Sequence, residues 1–215
     1  MIPQTFFIPP AALDALVGAL ENDPFYAALT PDADIADARR RAILREYFAY
    51  ALHEGNAYGV VTIEAETNAG AAIWLLPQAD GVAQKLQATK NAALKNILSP
   101  RGFENYVAMI EAMSPHAERV VPRRAWYLSI LGIAPARQGK GLGKRLLAPT
   151  LADADARGAS CFLETFNPRT LPFYESVGFR AVAQHAEQVT GQAYWIMVRA
   201  PLITAETAAH PLAAA

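Results

Sequence analysis

Three glycines recur at every second position in a short segment of the second half of the chain. Gly139, Gly141 and Gly143 are separated by a lysine and a leucine, and a second lysine follows them. Glycine lets a phosphate oxygen approach the backbone because no Cβ stands in the way. Where such a turn leads into a helix, the first backbone N–H groups have no intrahelical partner and carry the positive end of the helix dipole. The segment therefore predicts a site for a phosphate-bearing anion.

The charge around this turn agrees with an anionic ligand. The stretch from 123 to 145 contains no acidic residue and six basic ones: Arg123, Arg124, Arg137, Lys140, Lys144 and Arg145. The net charge of the whole chain is only −1, so we expect neither nucleic acid nor a membrane as a partner. The four histidines are scattered without ligand spacing, so we also expect no metal.

The glycine spacing does not fit the two commonest nucleotide-binding loops. A dinucleotide-binding loop needs Gly-x-Gly-x-x-Gly and an acidic residue about 20 positions later, and no convincing acidic residue is found there. A Walker loop needs four residues between its first glycine and a Gly-Lys pair, with Ser or Thr next. Gly143-Lys144 has no glycine at that distance, and Arg145 follows it. A glycine-rich turn without any ligand is the remaining alternative.

The elements that must position this turn predict an α/β fold in one domain. Hydrophobic residues make up 53% of the 215 residues, which is enough for a sizeable core. Apolar spacing and turn residues predict helices, with Gly158 ending the helix that follows the glycines. The predicted helices are Ala11–Leu20, Asp34–His53, Gly81–Leu98, Phe103–Met113, the segment from Leu142, and Pro172–Val177. The predicted strands are Tyr58–Glu64, Ala71–Leu76, Trp126–Ile133, Ser160–Thr165, Phe179–Val182 and Ala193–Val198.

The turn and its surroundings resemble the GNAT (Gcn5-related) N-acetyltransferase superfamily. Residues 138–143 match the family loop Gln/Arg-x-x-Gly-x-Gly/Ala at every fixed position. Residues 131–133 look like its pantetheine-binding strand end, and Asn167, Tyr174 and Gly178-Phe179 form a second motif at the family distance. The resemblance implies a mixed, mostly antiparallel sheet with helices on both faces. It also implies that strands 126–133 and 160–165 part to form an acyl-coenzyme A cleft.

The resemblance further implies a division of labour along the chain. Residues 126–200 are expected to bind acetyl-coenzyme A, residues 1–125 to form the acceptor side, and residues 201–215 to be a loose tail. Asn167 contacts the cofactor or caps the short helix after it, and both interpretations stay open. The residues expected to contact acetyl-coenzyme A are Leu131, Gly132, Ile133, Gln138, Gly139, Lys140, Gly141, Leu142, Gly143, Lys144, Asn167 and Tyr174.

Within the superfamily, the chain resembles the branch that contains puromycin N-acetyltransferase. The segments 163–165, 168–169 and 171–175 carry this resemblance, together with His116 ahead of residues 126–128. Thr170 departs from the pattern, because relatives often carry asparagine there.

Acetyl transfer to an amine needs a neutral amine, donors for the oxyanion and a proton for the leaving thiolate. Tyr174 is the candidate acid, since a phenol is protonated at neutral pH. Glu164 is the candidate base because it interrupts an apolar strand, where a carboxylate is costly unless it has a partner or lines a cleft. His116 is an alternative base, although a histidine in a loop after Pro115 is the plainer interpretation. Backbone N–H groups near residues 131–133 suffice for the oxyanion.

The remaining expectations concern the acceptor and the setting. Side chains that could line the acceptor site are Phe25, Tyr26, Trp74, Trp126 and His116. A small-molecule primary amine, attacked directly in a ternary complex, is the predicted substrate. A peptide acetyltransferase and a non-catalytic acyl-coenzyme A sensor are the alternatives. A charged fraction of 18% favours a homodimer, and the lone Cys161, with no leader signal in residues 1–4, favours the cytoplasm.

Overall fold

The computed structural model describes residues 6–32 and 38–202. The predicted helix start at Asp34, the segment 1–4 and the tail beyond residue 202 lie outside them. The helices are α1 (Pro10–Leu20), α2 (Pro24–Leu29), α3 (Ala38–Tyr58), α4 (Asp80–Ile97), α5 (Pro100–Val120), α6 (Leu142–Ala156) and α7 (Leu171–Glu175). The strands are β1 (Gly59–Ile63), β2 (Gly70–Leu75), β3 (Trp126–Ile133), β4 (Cys161–Thr165), β5 (Arg180–Glu187) and β6 (Gln192–Arg199).

The six strands form one sheet in the order β1-β2-β3-β4-β6-β5. Every neighbouring pair is antiparallel except β3 and β4. These two parallel strands pair only at their beginnings, where Trp126 is opposite Cys161 and Tyr127 is opposite Phe162. Beyond residue 127 they part. The predicted mixed sheet with a splayed central pair is confirmed.

Helices cover both faces of the sheet, because side chains alternate between two cores along each strand. On β2, Ala71 and Ile73 belong to the core that α1, α2, α3 and α5 cover. Ala72 and Trp74 belong to the core on the opposite face, beneath α6.

A β-bulge in β3 changes which face its side chains occupy. Ile73 of β2 pairs with Ile130, while the next residue, Trp74, pairs with Leu128, so Ser129 is the extra residue. Leu128 points into the core beneath α6, but Ile130, two positions later, belongs to the opposite core. A bulge bends and twists its strand, which fits the divergence of β3 from β4 in the same region.

The predicted ends of α3 and α5 differ from the structure. The predicted stop at Gly55 is wrong: α3 continues to Tyr58, and Gly55 serves close packing, since a Cβ there would lie 2.5 Å from Ile73 Cγ2. The predicted end at Met113 is also wrong, because α5 runs through the exposed Pro115 to Val120. His116 therefore lies on a helix rather than in a loop.

Helix α2 was not predicted, although its start carries a recognisable signal. Asp23 accepts a hydrogen bond from the backbone N–H of Phe25 at 2.9 Å, and Pro24 occupies the first helical position. Helix α5 holds α2 in place. Asn105 donates to the Ala28 carbonyl at 2.8 Å, and the lack of a side chain at Gly102 admits the Leu29 carbonyl.

Helices α4 and α5 occupy the connection between β2 and β3. These strands are antiparallel neighbours, which a short turn can join. The chain instead inserts residues 76–125 there. Both helices form one wall of a cavity described below, so this insertion contributes to that cavity.

Candidate active site

A cavity of about 920 Å³ opens where β3 and β4 part. Its walls come from the end of α1, the end of β3, the glycine turn, the start of α6 and the segment from β4 to α7. Ten of the twelve residues predicted to contact acetyl-coenzyme A line this cavity; the two exceptions are Gly132 and Lys140. We refer to it as the cleft.

The N-terminus of α6 faces the cleft without a side-chain cap. Gly141 is the residue before the helix, has a φ of +75° and offers no side chain to the free N–H groups. The first hydrogen bond of the helix runs from Arg145 N–H to the Gly141 carbonyl, at 3.2 Å. The N–H groups of residues 142–144 are therefore without intrahelical partners, as an anion site requires.

Two of the three glycines are needed for backbone conformation and one for packing. Gly139 and Gly141 both have φ of +75°, and a Cβ at either would meet nothing within 4 Å. Gly143 has no such conformation, but a Cβ there would lie 2.9 Å from Cζ of Phe173. Gly143 thus lets α7, which carries Tyr174, approach the start of α6.

Basic side chains and a hydrogen-bonded glutamine lie at the end of the cleft that the glycine turn forms. Arg137, Lys144 and Arg169 line the cleft. The buried Arg137 Nε has no hydrogen-bond partner in the described part of the chain, as expected of a donor that awaits an anionic ligand. Gln138 donates from Nε2 to the Ile133 carbonyl at 2.9 Å and so fastens the turn to the end of β3.

The two predicted contacts that do not line the cleft have other surroundings. Gly132 lies beneath α1, where a Cβ would be 2.7 Å from Leu16 Cδ2 and 3.3 Å from Ala19 Cβ. Lys140 lies on the exposed outer side of the turn. Asn167, which does line the cleft, also accepts a hydrogen bond from Arg169 N–H at 3.1 Å, so its capping role is present.

A second cavity of about 450 Å³ lies beside the cleft, on the face of the sheet that α3, α4 and α5 cover. We refer to it as the chamber. The residues that line both spaces form the junction between them: Leu20, Asp23, Leu131, Thr165, Phe166 and Tyr174. A molecule in the cleft and a molecule in the chamber would therefore meet at these six residues.

Tyr174 is held at the junction by aromatic packing. Its ring makes edge-on contacts with Phe173 and Phe179, at centroid distances of 5.1 and 6.1 Å. Among the described residues its hydroxyl has no hydrogen-bond partner. Burial raises the pKa of Tyr174 above its usual value, so the phenol is protonated at neutral pH and can donate a hydrogen bond.

Glu164 lines the chamber because alternate residues of β4 point to it. Phe162 and Glu164 face the chamber, while Cys161 and Leu163 pack beneath α6. Burial raises the pKa of Glu164 to about 7, although Tyr127 donates a hydrogen bond to Oε2 at 3.2 Å and partly opposes the shift. A carboxyl group that titrates near neutrality can accept a proton from an amine.

Asp23 is a second carboxyl group of this site, and the sequence analysis did not identify it. Its position at the junction follows from its role as the N-cap of α2. Burial raises the pKa of Asp23 to about 6, against the lowering effect of the hydrogen bond from Phe25. The dipeptide Asp23-Pro24 is an N-cap signal, from which the start of α2 could have been predicted.

The aromatic candidates divide into two groups. Phe25 and Tyr26 line the chamber. Trp74 and Trp126 lie outside both cavities, because they occupy strand positions that point beneath α6. These two tryptophans are core residues with exposures of 0% and 7%.

His116 also lies outside the cleft and the chamber. Its Nδ1 is 2.9 Å from the Tyr194 hydroxyl, and its ring stacks on His185 at 3.8 Å between centroids. Burial, together with the charges of His185 and Arg119, lowers the pKa of His116. Cys161 is fully buried, and burial raises its pKa to about 12, so its thiol is unsuited to form an acyl-enzyme.

Across residues 6–32 and 38–202, no three or more His, Cys, Asp or Glu side chains form a group that could hold a metal ion. In the same ranges, no helix combines the length and apolar character needed to span a membrane.

The chain is similar in sequence to known acetyltransferases. The sequence model of the acetyltransferase (GNAT) family matches residues 16–179. Over 174 residues the chain is 25% identical to the uncharacterized N-acetyltransferase C550.08 of Schizosaccharomyces pombe, with 78% of this chain and 69% of that protein covered.

Solved structures share the fold along most of the chain. A Corynebacterium glutamicum protein described as histone acetyltransferase HPA2 and related acetyltransferase is 21% identical, with a TM-score of 0.59 and coverage of 91% of this chain and 92% of that one. The Drosophila melanogaster polyamine N-acetyltransferase, which forms N-acetylagmatine, is 12% identical, with a TM-score of 0.61 and coverage of 87% and 92%. At these identities the likeness concerns the fold alone.

Proposed function

Since the chain belongs to the acetyltransferase (GNAT) family, we propose that it transfers the acetyl group of acetyl-coenzyme A to a primary amine of a small molecule. The observation that carries this proposal is the meeting of the cleft and the chamber at Tyr174. With one ligand in each space, the amine can attack directly in a ternary complex, and no acyl-enzyme is needed.

The residues of the cleft suit acetyl-coenzyme A. The free N–H groups at the start of α6, with Arg137 and Lys144, would hold the pyrophosphate. Because β3 is not paired with β4 beyond Tyr127, the main-chain groups on that edge of Leu131 and its neighbours are available to the pantetheine amides. Acetyl-coenzyme A, when bound, supplies an activated acetyl group as a thioester.

Three groups of the chain would serve the reaction. Glu164 would accept the proton that the attacking amine must lose, because its pKa lies near neutrality. A backbone N–H near Leu131 would stabilise negative charge on the carbonyl oxygen. Tyr174 would donate its phenolic proton to the leaving sulfur, which requires a group that stays protonated until that step.

The walls of the chamber support a small acceptor over a peptide. Helices α3, α4 and α5 and strand β4 surround it, and its volume of about 450 Å³ lies in the range of small-molecule sites. The Drosophila enzyme shows that this fold can acetylate a small amine. Membership of the puromycin N-acetyltransferase branch, a homodimer and a cytoplasmic location are proposals that rest on the sequence patterns.

Release of free coenzyme A thiol in the presence of amines tests the proposed function. We expect thiol release with some member of a panel of small primary amines, and none when the amine is omitted. Tight binding of acetyl-coenzyme A without thiol release for any acceptor would favour the sensor. Turnover confined to peptides would favour a peptide acetyltransferase.

Replacing Glu164 by glutamine is expected to remove the acidic limb of the pH profile. In the wild type, kcat/KM should rise with pH through a midpoint of about 7, because burial raises the pKa of Glu164 and only the carboxylate accepts a proton. Activity is therefore present above that pH and lost below it. In Glu164→Gln the limb should disappear and kcat should fall by about 100-fold.

The matched control for this experiment is Glu111→Gln. Glu111 is an exposed residue of α5 that lines neither cavity, so its substitution should leave the profile unchanged. If the limb persists in Glu164→Gln, the base is another group. Asp23, with a pKa of about 6 at the junction, would then be the residue to replace with asparagine.

A further inference from the structure

The side of the chamber away from the cleft presents hydrogen-bond donors. Tyr47 of α3, Lys90 of α4 and Tyr106 of α5 line the chamber, and none of them lines the cleft. We call these three side chains the donor end. Three carboxyl groups also line the chamber: Asp23 at the junction, Glu164 on β4 and Glu118 on α5. The three donors lie outside the junction, whereas Asp23 lies at it.

Lys90 is a largely buried cation, and it forms an ion pair with a carboxylate that lies outside the chamber. Its Nζ lies 2.8 Å from Glu54 Oε2, and the two side chains are 14% and 9% exposed. Glu54 itself lines neither cavity, so the carboxylate holds the ammonium from the protein side. Burial lowers the pKa of Lys90, but the Glu54 carboxylate, together with Tyr47 and Tyr106, outweighs burial and raises that pKa, so Lys90 carries its charge.

The ammonium of Lys90 has more donors than the protein uses. A lysine ammonium has three N–H donors, and Glu54 accepts from it. Within residues 6–32 and 38–202, no other hydrogen-bond partner of Lys90 is present. An unpaired buried donor costs free energy. A ligand in the chamber that accepts hydrogen bonds from the remaining N–H groups would therefore be stabilised.

The two tyrosines add neutral donors beside this charge. Gln87 donates from Nε2 to the Tyr106 hydroxyl oxygen at 3.4 Å, which leaves the Tyr106 O–H group free to donate. Tyr47 is 6% exposed, and its hydroxyl has no partner among the residues described. Burial raises the pKa of Tyr47, so its phenol keeps its proton and can donate as well.

We infer that the acceptor is an amine that also carries a carboxylate, or another anionic oxygen group, which the donor end binds. The inference rests on the proposed function and names its substrate class. Such a molecule matches the chamber in three respects. Its amine meets carboxyl groups, its anion meets Lys90 and the tyrosine hydroxyls, and its body lies among aromatic side chains such as Phe25, Tyr26 and Phe162.

Matched pairs of amines test this inference. The two members of each pair share the same body, and only the first carries a carboxylate remote from the amine. The pairs are 4-(aminomethyl)benzoate with benzylamine, and 6-aminohexanoate with hexylamine. For the wild-type protein, kcat/KM should be at least about 10-fold higher for the carboxylate member of at least one pair. Equal values in both pairs, or a preference for the plain amines, would overturn the inference.

A charge-balanced variant then locates the preference at the donor end. Lys90→Met alone would leave Glu54 buried without its partner and could unfold the protein, so the test uses Lys90→Met with Glu54→Gln. The ratio of kcat/KM within the preferred pair should fall to about 1. Lys85→Met, on the exposed side of α4, is the control and should keep the wild-type ratio. A ratio retained in the double variant would mean that the ion pair is only structural.

Calorimetric titration of the carboxylate amines separates this inference from the proposed function. Turnover of amines without the predicted preference would overturn the inference and leave the acetyltransferase function standing. Binding of a carboxylate amine that depends on Lys90, with no turnover, would support the inference and contradict the function. Neither binding nor turnover of any pair would overturn both.

Discussion

Replacing Tyr174 by phenylalanine is expected to lower kcat by about 10²–10⁴-fold at saturating acetyl-coenzyme A. The phenol is the donor placed at the junction of the cleft and the chamber, and burial keeps it protonated. Its hydrogen bond to sulfur strengthens only as the thiolate leaves. The loss should therefore appear equally in kcat and kcat/KM, with the KM for acetyl-coenzyme A nearly unchanged.

Tyr50→Phe is the matched control for this substitution. Tyr50 lies on α3 and lines neither cavity. Its substitution by phenylalanine removes the same group, a phenolic hydroxyl. Steady-state kinetics by thiol release should show wild-type turnover for this variant. A Tyr174→Phe enzyme that keeps kcat within about threefold of wild type would show that Tyr174 is not the acid.

Replacing Gly141 by valine is expected to weaken the binding of acetyl-coenzyme A by at least about 100-fold, or about 2.7 kcal/mol. Gly141 has a φ of +75°, a region that a β-branched residue avoids. The turn would have to change its conformation, and the N–H groups at the start of α6 would no longer converge on the pyrophosphate. Calorimetric titration with coenzyme A measures the loss.

Gly158→Val supplies a control with the same backbone strain at the other end of α6. Gly158 has a φ of +62°, and a Cβ there also meets nothing within 4 Å. Both variants should lose similar thermal stability, but only Gly141→Val should lose coenzyme A affinity. Equal affinities of the two variants for coenzyme A would show that the conformation of the glycine turn does not control cofactor binding.

The conformation of the glycine turn was predictable because its signals are local. An anion-binding helix N-terminus depends on a few consecutive residues, and the structure places Gly139 and Gly141 in the left-handed conformation that only glycine adopts easily. Strand β3 also has the predicted bounds, because eight apolar or small residues between turn signals leave little choice. The family resemblance supplied the splay of β3 from β4, which no local pattern encodes.

The acceptor side was predicted less well because its residues come from distant segments. Trp74 and Trp126 were candidates by residue type, but their positions on β2 and β3 point them beneath α6, away from the chamber. Asp23 and Lys90 were not candidates at all. Their importance arises only when α2 and α4 pack around the same space as β4.

By itself, the sequence determined most of the elements, the glycine turn and two of the groups that could move a proton, Tyr174 and Glu164. These follow from backbone conformation and residue chemistry within short stretches of chain. Only the tertiary structure decided which of those groups share a space. The bulge at Ser129, the partial pairing of β3 with β4 and the packing of α2, α4 and α5 bring Asp23, Lys90 and Glu164 to one chamber. The reason is physical: side-chain direction and long-range packing depend on contacts between residues far apart in the chain.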